Sequence, residues 1–256
     1  MSDAPQLLIV AAESAPWTDA VMALASPHRR AVVVAPKDEI EVSAVEVVVG
    51  APPDLVAQIT HCPGLRWVQS TWAGIDAIAH FASETLQITP LKGVFGPAMA
   101  EYVMAWLLAI ERNVITRSSH THWSPSPEPR ITGKRLGIMG TGGIGTAIAL
   151  AARLFGLVVS GLNSDGRAVD GFTTCYRSAD RLAFAEGLDY LVSALPQTSQ
   201  TDNLIDHELL MRLNPQAIVM NVGRGNALVE AELIASLNAG HVKAAVLDVF
   251  REEPLP

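Results

Sequence analysis

A glycine-rich segment in the middle of the chain has the spacing of a turn that binds nucleotide phosphates. It consists of Gly140, Thr141, Gly142, Gly143, Ile144 and Gly145. An apolar run before it and a helical apolar pattern after it predict a strand, a tight turn and a helix whose N-terminus faces the phosphates. The first glycine would permit the turn, the second would let a pyrophosphate approach the backbone, and the third would let the helix pack on the strand. The pattern predicts a dinucleotide site; the alternative is a strand-to-helix turn that binds nothing.

The strand expected after this helix ends at Asn163, where dinucleotide sites for NAD place a carboxylate that binds the ribose 2′-hydroxyl. A neutral side chain removes the charge that would repel a 2′-phosphate. Ser164 and Arg167 follow and could hold that phosphate, which favours NADP. Asp165 could still reach the ribose of NAD, so both cofactors remain open. The remaining alternative is a polar turn that contacts no cofactor.

These segments need a parallel sheet to position them, and the rest of the sequence supplies its strands. Short apolar runs rich in β-branched residues occur at 6–12, 30–36, 45–51, 65–71 and 86–92, and again at 135–140, 157–163, 190–196, 217–223 and 244–250. Most are continuous rather than alternating, which is typical of parallel strands buried on both faces. The helical segments between them predict βαβ units and an α/β fold.

A domain boundary is expected near the middle of the chain. Residues 97–119 predict one long apolar helix with Glu101 in its first turn, where a negative charge suits the helix dipole. The proline-containing segment 120–130 then ends the pattern as a connector. We therefore expect a smaller domain at 1–96 and a larger one at 97–256.

The composition favours a globular protein and argues against several kinds of partner. The chain has 256 residues, 49% of them hydrophobic and 17% charged, which is ample for a buried core. A net charge of −8 argues against nucleic acid as a partner. Cys62 and Cys175 lie far apart, so we predict free thiols in a reducing compartment and no metal site. Since no signal peptide or membrane-spanning run is evident, a cytoplasmic protein is expected.

Several motifs agree in order and spacing with one protein family. Besides the glycine-rich turn they are STWAGID at 70–76, SALPQTSQT at 193–201, NVGRG at 221–225 and LDVFREEP at 247–254. From about residue 65 to 256 the chain resembles the D-isomer-specific 2-hydroxyacid dehydrogenases, which include glyoxylate and hydroxypyruvate reductases. The resemblance implies a Rossmann-type doubly wound parallel sheet for the NAD(P)-binding domain at 97–256. It also implies a second, smaller flavodoxin-like α/β substrate domain at 1–96, incomplete in this chain.

The resemblance assigns roles to loop residues outside the glycine-rich turn. The backbone N–H groups of Ala73 and Gly74 would hold the substrate carboxylate, and Trp72 would line the pocket. The cofactor would contact a further set of residues, namely Leu195, Pro196, Thr201, Val222, Gly223, Arg224 and Asp248, besides Asn163 and Ser164 at the end of the strand expected at 157–163. Of these, Val222 and Gly223 would line the nicotinamide, and Asp248 would bind its carboxamide. Taken alone, the loop at 70–76 could equally be a simple strand-to-helix turn.

Two charged residues would carry the chemistry that the resemblance implies. Arg224 would bind the 2-oxo acid and polarise its carbonyl, since a guanidinium can bind a carboxylate bidentately. Glu253 would pair with a catalytic histidine and raise its pKa. That histidine is expected beyond Pro256, because none of the seven histidines in the chain has a matching context. Alone, Arg224 and Glu253 would more simply be solvated charges.

The sequence thus predicts an NAD(P)H-dependent oxidoreductase that interconverts a 2-oxo acid, of the glyoxylate or hydroxypyruvate type, and a D-2-hydroxy acid. A homodimer is expected by resemblance only. The absent histidine suggests a partial sequence, or else a non-catalytic dinucleotide-binding scaffold of the same fold. A Rossmann enzyme of different chemistry is a third alternative, which would leave Arg224, Asp248 and Glu253 as coincidences.

Overall fold

The computed structural model describes residues 7–11, 16–24, 31–35, 44–123, 125 and 129–255. The chain divides into two compact units, Met1–Lys92 and Gly93–Pro256. The division lies a few residues before the boundary expected from the sequence, because the turn that leads into the long apolar helix belongs to the second unit. Among the described residues, no helix is both long and apolar enough to cross a membrane.

The first unit is a five-stranded parallel sheet with helices between its strands. Its elements are β1 (Leu7–Val10), α1 (Thr18–Leu24), β2 (Ala31–Val34), β3 (Val47–Gly50), α2 (Pro52–His61), β4 (Trp67–Ser70) and β5 (Gln87–Thr89). The strand order is β2-β1-β3-β4-β5, and every pair is parallel. This order is the flavodoxin-like form of the doubly wound sheet, as expected.

The second unit is a six-stranded parallel sheet flanked by helices. In chain order its elements are α3 (Gly96–Glu111), α4 (Val114–Ser118), β6 (Arg135–Met139), α5 (Gly143–Leu154), β7 (Val158–Asn163), β8 (Thr174–Arg177), α6 (Arg181–Ala185), β9 (Tyr190–Ser193), α7 (His207–Leu210), β10 (Ala217–Asn221), α8 (Glu230–Asn238) and β11 (Val242–Leu247). The strand order is β11-β10-β9-β6-β7-β8. Counted from the first strand of the unit this is 3-2-1-4-5-6, so the predicted Rossmann-type sheet is confirmed.

Both faces of the second sheet are buried, which explains the continuous apolar runs in the sequence. On one face, Val192 and Met220 join a core that includes α3 and α5. On the other, Leu191 and Val219 join a core that includes α6, α7 and α8. Adjacent residues of a strand therefore supply opposite cores, so the strands cannot alternate between apolar and polar residues.

The structure differs from the predictions made from the sequence at three points. The helix expected over 97–119 is two helices, because Asn113 between α3 and α4 has a left-handed backbone with φ of 50°. Glu101 is not in a first turn, since α3 already begins at Gly96 with Pro97 in a favoured N-terminal position. Strand β8 was not predicted, because Thr174–Arg177 is a largely polar strand at the edge of the sheet.

A buried carboxylate ties the end of α3 to the sheet. The side chain of Glu111 is only 3% exposed and lies 3.2 Å from the ammonium group of Lys134 and 3.8 Å from that of Lys243. Lys134 directly precedes β6, whereas Lys243 lies near the start of β11. The ion pairs compensate the cost of burying the carboxylate and fix α3 at the amino ends of the strands. The opposite, carboxyl ends of these strands carry the loops described next.

Candidate functional site

The glycine-rich turn joins β6 to α5 at the centre of the second sheet, where the strand order reverses. Gly140 follows β6 with a positive φ of 97°, and its N–H donates to the Leu162 carbonyl over 2.8 Å. Gly142 is the N-cap residue of α5, which begins at Gly143. Doubly wound sheets bind ligands at this position, outside the carboxyl ends of the strands. The free N–H groups at the start of α5 make it suitable for an anion.

The four glycines of the turn fall into two groups according to what a Cβ atom would meet. At Gly145 it would lie 1.9 Å from the Gly140 carbonyl oxygen, and at Gly140 it would lie 2.8 Å from the Ala194 carbonyl oxygen. At Gly142 and Gly143 it would meet no atom within 4 Å. Packing of the chain therefore explains the first pair but not the second. Open space over Gly142 and Gly143 is what a closely bound pyrophosphate requires, so the turn fits a dinucleotide.

Asn163 and Thr141 form the link between the glycine-rich turn and the loop after β7. The Asn163 Nδ2 donates to Thr141 Oγ1 over 3.1 Å and to the Arg167 carbonyl over 2.9 Å, and its Oδ1 accepts from the Gly166 N–H. Both side chains are buried, Asn163 at 8% and Thr141 at 6% exposure. The side-chain amide of Asn163 thus shapes the loop after β7. A direct contact of either side chain with cofactor stays a prediction.

The loop after β7 and the end of β8 each carry an exposed arginine beside an aspartate. Arg167 lies 3.2 Å from Asp165, and both side chains are more than half exposed. Arg177, at the end of neighbouring β8, lies 2.8 Å from Asp180, whose hydrogen bond and charge raise the pKa of this guanidinium. The loop after β7 contacts the end of β8, since a Cβ at Gly166 would lie 3.2 Å from the Arg177 backbone nitrogen. Sequence reasoning missed Arg177 because it missed β8; a strand placed there would have brought Arg177 beside the Ser164 loop.

The loop after β9 is held in a defined shape by Thr201. Its hydroxyl donates to the Pro196 carbonyl over 2.7 Å and accepts from the Thr198 N–H over 3.0 Å. Leu195 and Thr201 are both buried. Since β9 lies beside β6, this loop lies next to the glycine-rich turn, as the contact between Gly140 and Ala194 shows.

The loop after β10 carries Arg224 on a closely packed backbone. The Asn221 side chain accepts from the Gly223 N–H over 3.2 Å and donates to the Arg224 carbonyl over 3.0 Å. A Cβ at Gly223 would lie 2.5 Å from the Leu195 nitrogen, so this loop also touches the loop after β9. Val222 is buried, and Arg224 is half-buried with Nη1 2.8 Å from the Gly223 carbonyl oxygen. Arg224 is therefore an anchored cation rather than a solvated surface charge.

The segment after β11 places two carboxylates at the same edge of the sheet. Asp248 is exposed, and its N–H donates to the Asn221 carbonyl over 3.0 Å. The pKa of Tyr102 on α3 is raised, mainly by burial and secondly by the negative charge of Asp248. Glu253 accepts a hydrogen bond from the Phe250 N–H over 2.8 Å. The pairing of Glu253 with a histidine stays a prediction.

The residues expected to bind the substrate carboxylate lie in the first unit, at the carboxyl end of β4. Ser70 shapes their loop, because its hydroxyl oxygen accepts from the Trp72 N–H over 2.9 Å. Trp72 is 51% exposed, Ala73 is exposed and Gly74 is half-buried. Their role in binding a carboxylate stays a prediction.

Fold and site together define a dinucleotide-binding α/β protein, and comparison with known proteins places it in a family. Residues 104–256, more than half of the chain, match the family model described as D-isomer specific 2-hydroxyacid dehydrogenase, NAD binding domain. The chain therefore belongs to the D-isomer-specific 2-hydroxyacid dehydrogenase family. It is 35% identical over 161 residues to glyoxylate/hydroxypyruvate reductase A of Yersinia enterocolitica, covering 62% of this chain and 51% of that protein.

Other relatives agree with this assignment. Glyoxylate/hydroxypyruvate reductase A of Serratia proteamaculans is 31% identical over 203 residues, which cover 75% of this chain and 65% of that protein. The chain thus spans between about half and two thirds of the length of these curated relatives. A solved family member from Aeromonas salmonicida is 32% identical with a TM-score of 0.89, over 98% of this chain and 83% of that one. The NADPH-dependent glyoxylate/hydroxypyruvate reductase of Sinorhizobium meliloti, solved with NADP and sulfate, is 26% identical with a TM-score of 0.82 over 98% and 83% of the two chains.

The two kinds of glycine in the turn should respond differently to alanine. We expect Gly145→Ala to lower the free energy of unfolding by about 3 kcal/mol, because its Cβ would overlap a backbone oxygen that cannot move aside. Gly142→Ala meets no such atom and has a φ of −76°, which any residue adopts. Its cost should stay below about 1 kcal/mol, the weaker N-cap of alanine. Urea unfolding of both variants measures the difference, and equal losses would contradict it.

Proposed function

We propose that the protein is an NAD(P)H-dependent oxidoreductase that interconverts a 2-oxo acid and a D-2-hydroxy acid by hydride transfer. The observation that carries the proposal is the open space over Gly142 and Gly143 in the turn after β6. Arg224, held in the loop after β10, lies at the same edge of the sheet, two strands from that turn. Glyoxylate and hydroxypyruvate are the proposed substrates, on the basis of the reductases to which the chain is similar. A cytoplasmic location is proposed with it, since Cys62 and Cys175 are free thiols.

The residues of the second unit divide the work of such a site. The N–H groups at the start of α5 would bind the pyrophosphate, and Asp248 would accept a hydrogen bond from the carboxamide of the nicotinamide. Bound cofactor supplies the hydride. Arg224 would hold the carboxylate of the acid and stabilise the negative charge that develops on its carbonyl oxygen, because its guanidinium presents a fixed fork of donors. Glu253 would orient and charge a histidine that exchanges the proton.

Titration of the purified chain with NADPH and NADH tests the cofactor part of the proposal. We expect saturable binding that Gly142→Ala weakens by about tenfold or more, because the added methyl group occupies the space of the pyrophosphate. Unfolding of the same variant controls for stability. Absence of dinucleotide binding by the unaltered chain would refute the proposed function.

Arg224→Lys tests the part of the proposal that concerns the acid. Lysine keeps the charge but loses the fork of donors. In a form of the protein that includes the expected histidine, oxidation of NADPH by glyoxylate or hydroxypyruvate should therefore slow by about tenfold or more. In the present chain, oxalate should tighten NADPH binding, and this effect should be about tenfold smaller in Arg224→Lys. NADPH binding alone should change by less than about twofold. Arg212→Lys is the control, since Arg212 forms an exposed pair with Glu186. Firm NADPH binding without any effect of either acid would favour the non-catalytic scaffold instead.

We further propose that NADP is the preferred cofactor, with Arg167, Arg177 and Ser164 around its 2′-phosphate. No carboxylate competes at the strand end, because Asn163 is neutral and bonded to Thr141. The pairs of Arg167 and Arg177 with aspartates are exposed and weakened by solvent screening, so a phosphate dianion can displace them. Solved relatives from Sinorhizobium meliloti and Xanthobacter autotrophicus hold NADP and NADPH.

Alanine substitution of the two arginines distinguishes the cofactors. Arg167→Ala and Arg177→Ala should each weaken NADPH binding by about tenfold, and leave NADH binding within about twofold, because only NADPH carries the 2′-phosphate. Arg153→Ala, in the last turn of α5, is the control for loss of a positive charge from the surface. Equal weakening of both cofactors, or tighter binding of NADH by the unaltered chain, would show that the preference is wrong.

A homodimer is proposed through the outer surface of α3 and α4. Only two residues of α3 are charged, Glu101 and Glu111, and a helix that is apolar all round is usually buried on every side. One side packs in the core, but Trp106 is 37% exposed, and on α4 Val114 is 52% and Ile115 63% exposed. Apolar surface of this kind is typical of an interface between identical subunits.

Light scattering on a size-exclusion column tests the dimer. Ile115→Glu should convert it to a monomer, because a charge would be buried without a partner in the interface. Ile234→Glu is the matched control, since Ile234 is 57% exposed on α8, which packs on the opposite face of the sheet. A monomeric unaltered chain, or a dimer that survives Ile115→Glu, would contradict the proposal.

A further inference from the structure

Arg251 lies in the segment after β11 and forms hydrogen bonds with the turn that follows Arg224. Its Nη2 lies 2.7 Å from Asn203 Oδ1, 2.9 Å from the Asn226 carbonyl oxygen and 2.9 Å from the Leu228 carbonyl oxygen. Its backbone N–H donates to Glu230 at the start of α8 over 2.8 Å. One residue therefore joins the end of β11, the turn after Arg224 and the start of α8.

Backbone packing brings the same two segments together independently of the guanidinium. Gly225 directly follows Arg224, and a Cβ there would lie 2.0 Å from the carbonyl carbon and oxygen of Phe250 and 2.3 Å from the Arg251 nitrogen. The Phe250–Arg251 peptide thus lies against the backbone next to Arg224. The Phe250 N–H, which belongs to the preceding peptide group, donates to Glu253 Oε1, so the second charged residue of the proposed site is bonded to the same residue.

The turn that Arg251 caps sets the direction of the Arg224 backbone. Residues Gly225–Ala227 form a single turn of 3-10 helix, in which the Ala227 N–H donates to the Arg224 carbonyl over 3.4 Å and the Leu228 N–H donates to the Gly225 carbonyl over 3.2 Å. Such a short turn leaves its last carbonyl groups without partners inside the turn. Arg251 donates to the Asn226 carbonyl inside the turn and to the carbonyl of Leu228, which directly follows it, and the charge on the donor strengthens both bonds.

We propose that Arg251 is a positioning residue, which clamps the 3-10 turn after Arg224 to the segment that carries Asp248 and Glu253. The clamp fixes the backbone of Arg224 relative to both carboxylates, and Arg251 itself touches no substrate. The consequence for activity rests on the proposed function, whereas the clamp itself does not. Positioning of this kind matters because a shift of about 1 Å in a catalytic group can cost about a hundredfold in rate.

Hydrogen exchange on the chain without ligand tests the clamp itself. In Arg251→Ala, exchange of the Ala227 and Leu228 amides should become faster by about tenfold or more, since the turn loses its cap. Peptides from the glycine-rich turn should exchange as before. Glu252→Gln is the control for a change of charge in the same exposed segment. Unchanged exchange at Ala227 and Leu228 in Arg251→Ala would overturn the proposal, whether or not the chain is an enzyme.

Kinetics with NADPH and a 2-oxo acid, on a form of the protein that includes the expected histidine, test the consequence. Arg251→Ala should lower kcat by about tenfold or more and leave the affinity for NADPH within about twofold, because misplacement of Arg224 affects the acid and not the phosphates. Arg251→Lys should recover part of the loss, because all three contacts are made by the single nitrogen Nη2 and an ammonium group also carries three N–H donors. A parallel loss of NADPH affinity would indicate general unfolding and refute a positioning role. If the unaltered chain binds NADPH without responding to acid, the proposed function fails and the exchange result alone decides the clamp.

Discussion

Close contact between backbones, at positions where no side chain fits, is the constraint on which this site depends. The Gly145 backbone lies against the Gly140 carbonyl, Gly140 lies against Ala194, Gly223 lies against Leu195, and Gly225 lies against Phe250. These contacts join the loops after β6, β9, β10 and β11 in series. Each loop is therefore positioned by its neighbour, and a Cβ atom at any of these contacts would move a loop that carries part of the site. The glycines outside the series, Gly142 and Gly143, face open space and are available to a ligand.

The same series would let the cofactor site and the proposed acid site share one scaffold. The glycine-rich turn needs free N–H groups near a helix N-terminus, whereas Arg224 needs a rigid backbone that fixes the direction of its guanidinium. Hydrogen bonds of Asn221 to the Gly223 N–H and the Arg224 carbonyl supply that rigidity from within the loop. Arg251 supplies it from the next strand, so the loop is restrained on both sides. The loop after β9, closed by Thr201, lies between the two sites and touches both.

Most of the fold could be predicted from the sequence because buried parallel strands leave a strong apolar signal. All ten expected strands are present, and both sheets have the doubly wound order. The edge strand Thr174–Arg177 gave no such signal, because it has only one neighbour and is mostly polar. The break at Asn113 was also missed, because a short polar stretch such as Glu111-Arg112-Asn113 can equally lie on the exposed side of a continuous helix. The local apolar pattern indicates which segments are buried, but it does not indicate which strand lies at the edge of a sheet or where a helix is interrupted.

The candidate site was predictable only where a residue type has a fixed role in local backbone geometry. The glycines have such a role, and they lie, as predicted, in the turn between β6 and α5 and in the first turn of α5. The roles of Asn163 and Arg251 depend instead on residues 22 or more positions away, Thr141 in one case and Asn226 in the other. Asn163 was predicted as a cofactor contact, yet its side-chain amide forms hydrogen bonds within the protein that shape the loop. Arg251 lies in the motif at 247–254, in which the resemblance assigned roles to Asp248 and Glu253 but not to Arg251. A polar side chain near a strand end can either touch the ligand or hold the loop that does, and only its hydrogen-bond partners distinguish the two roles.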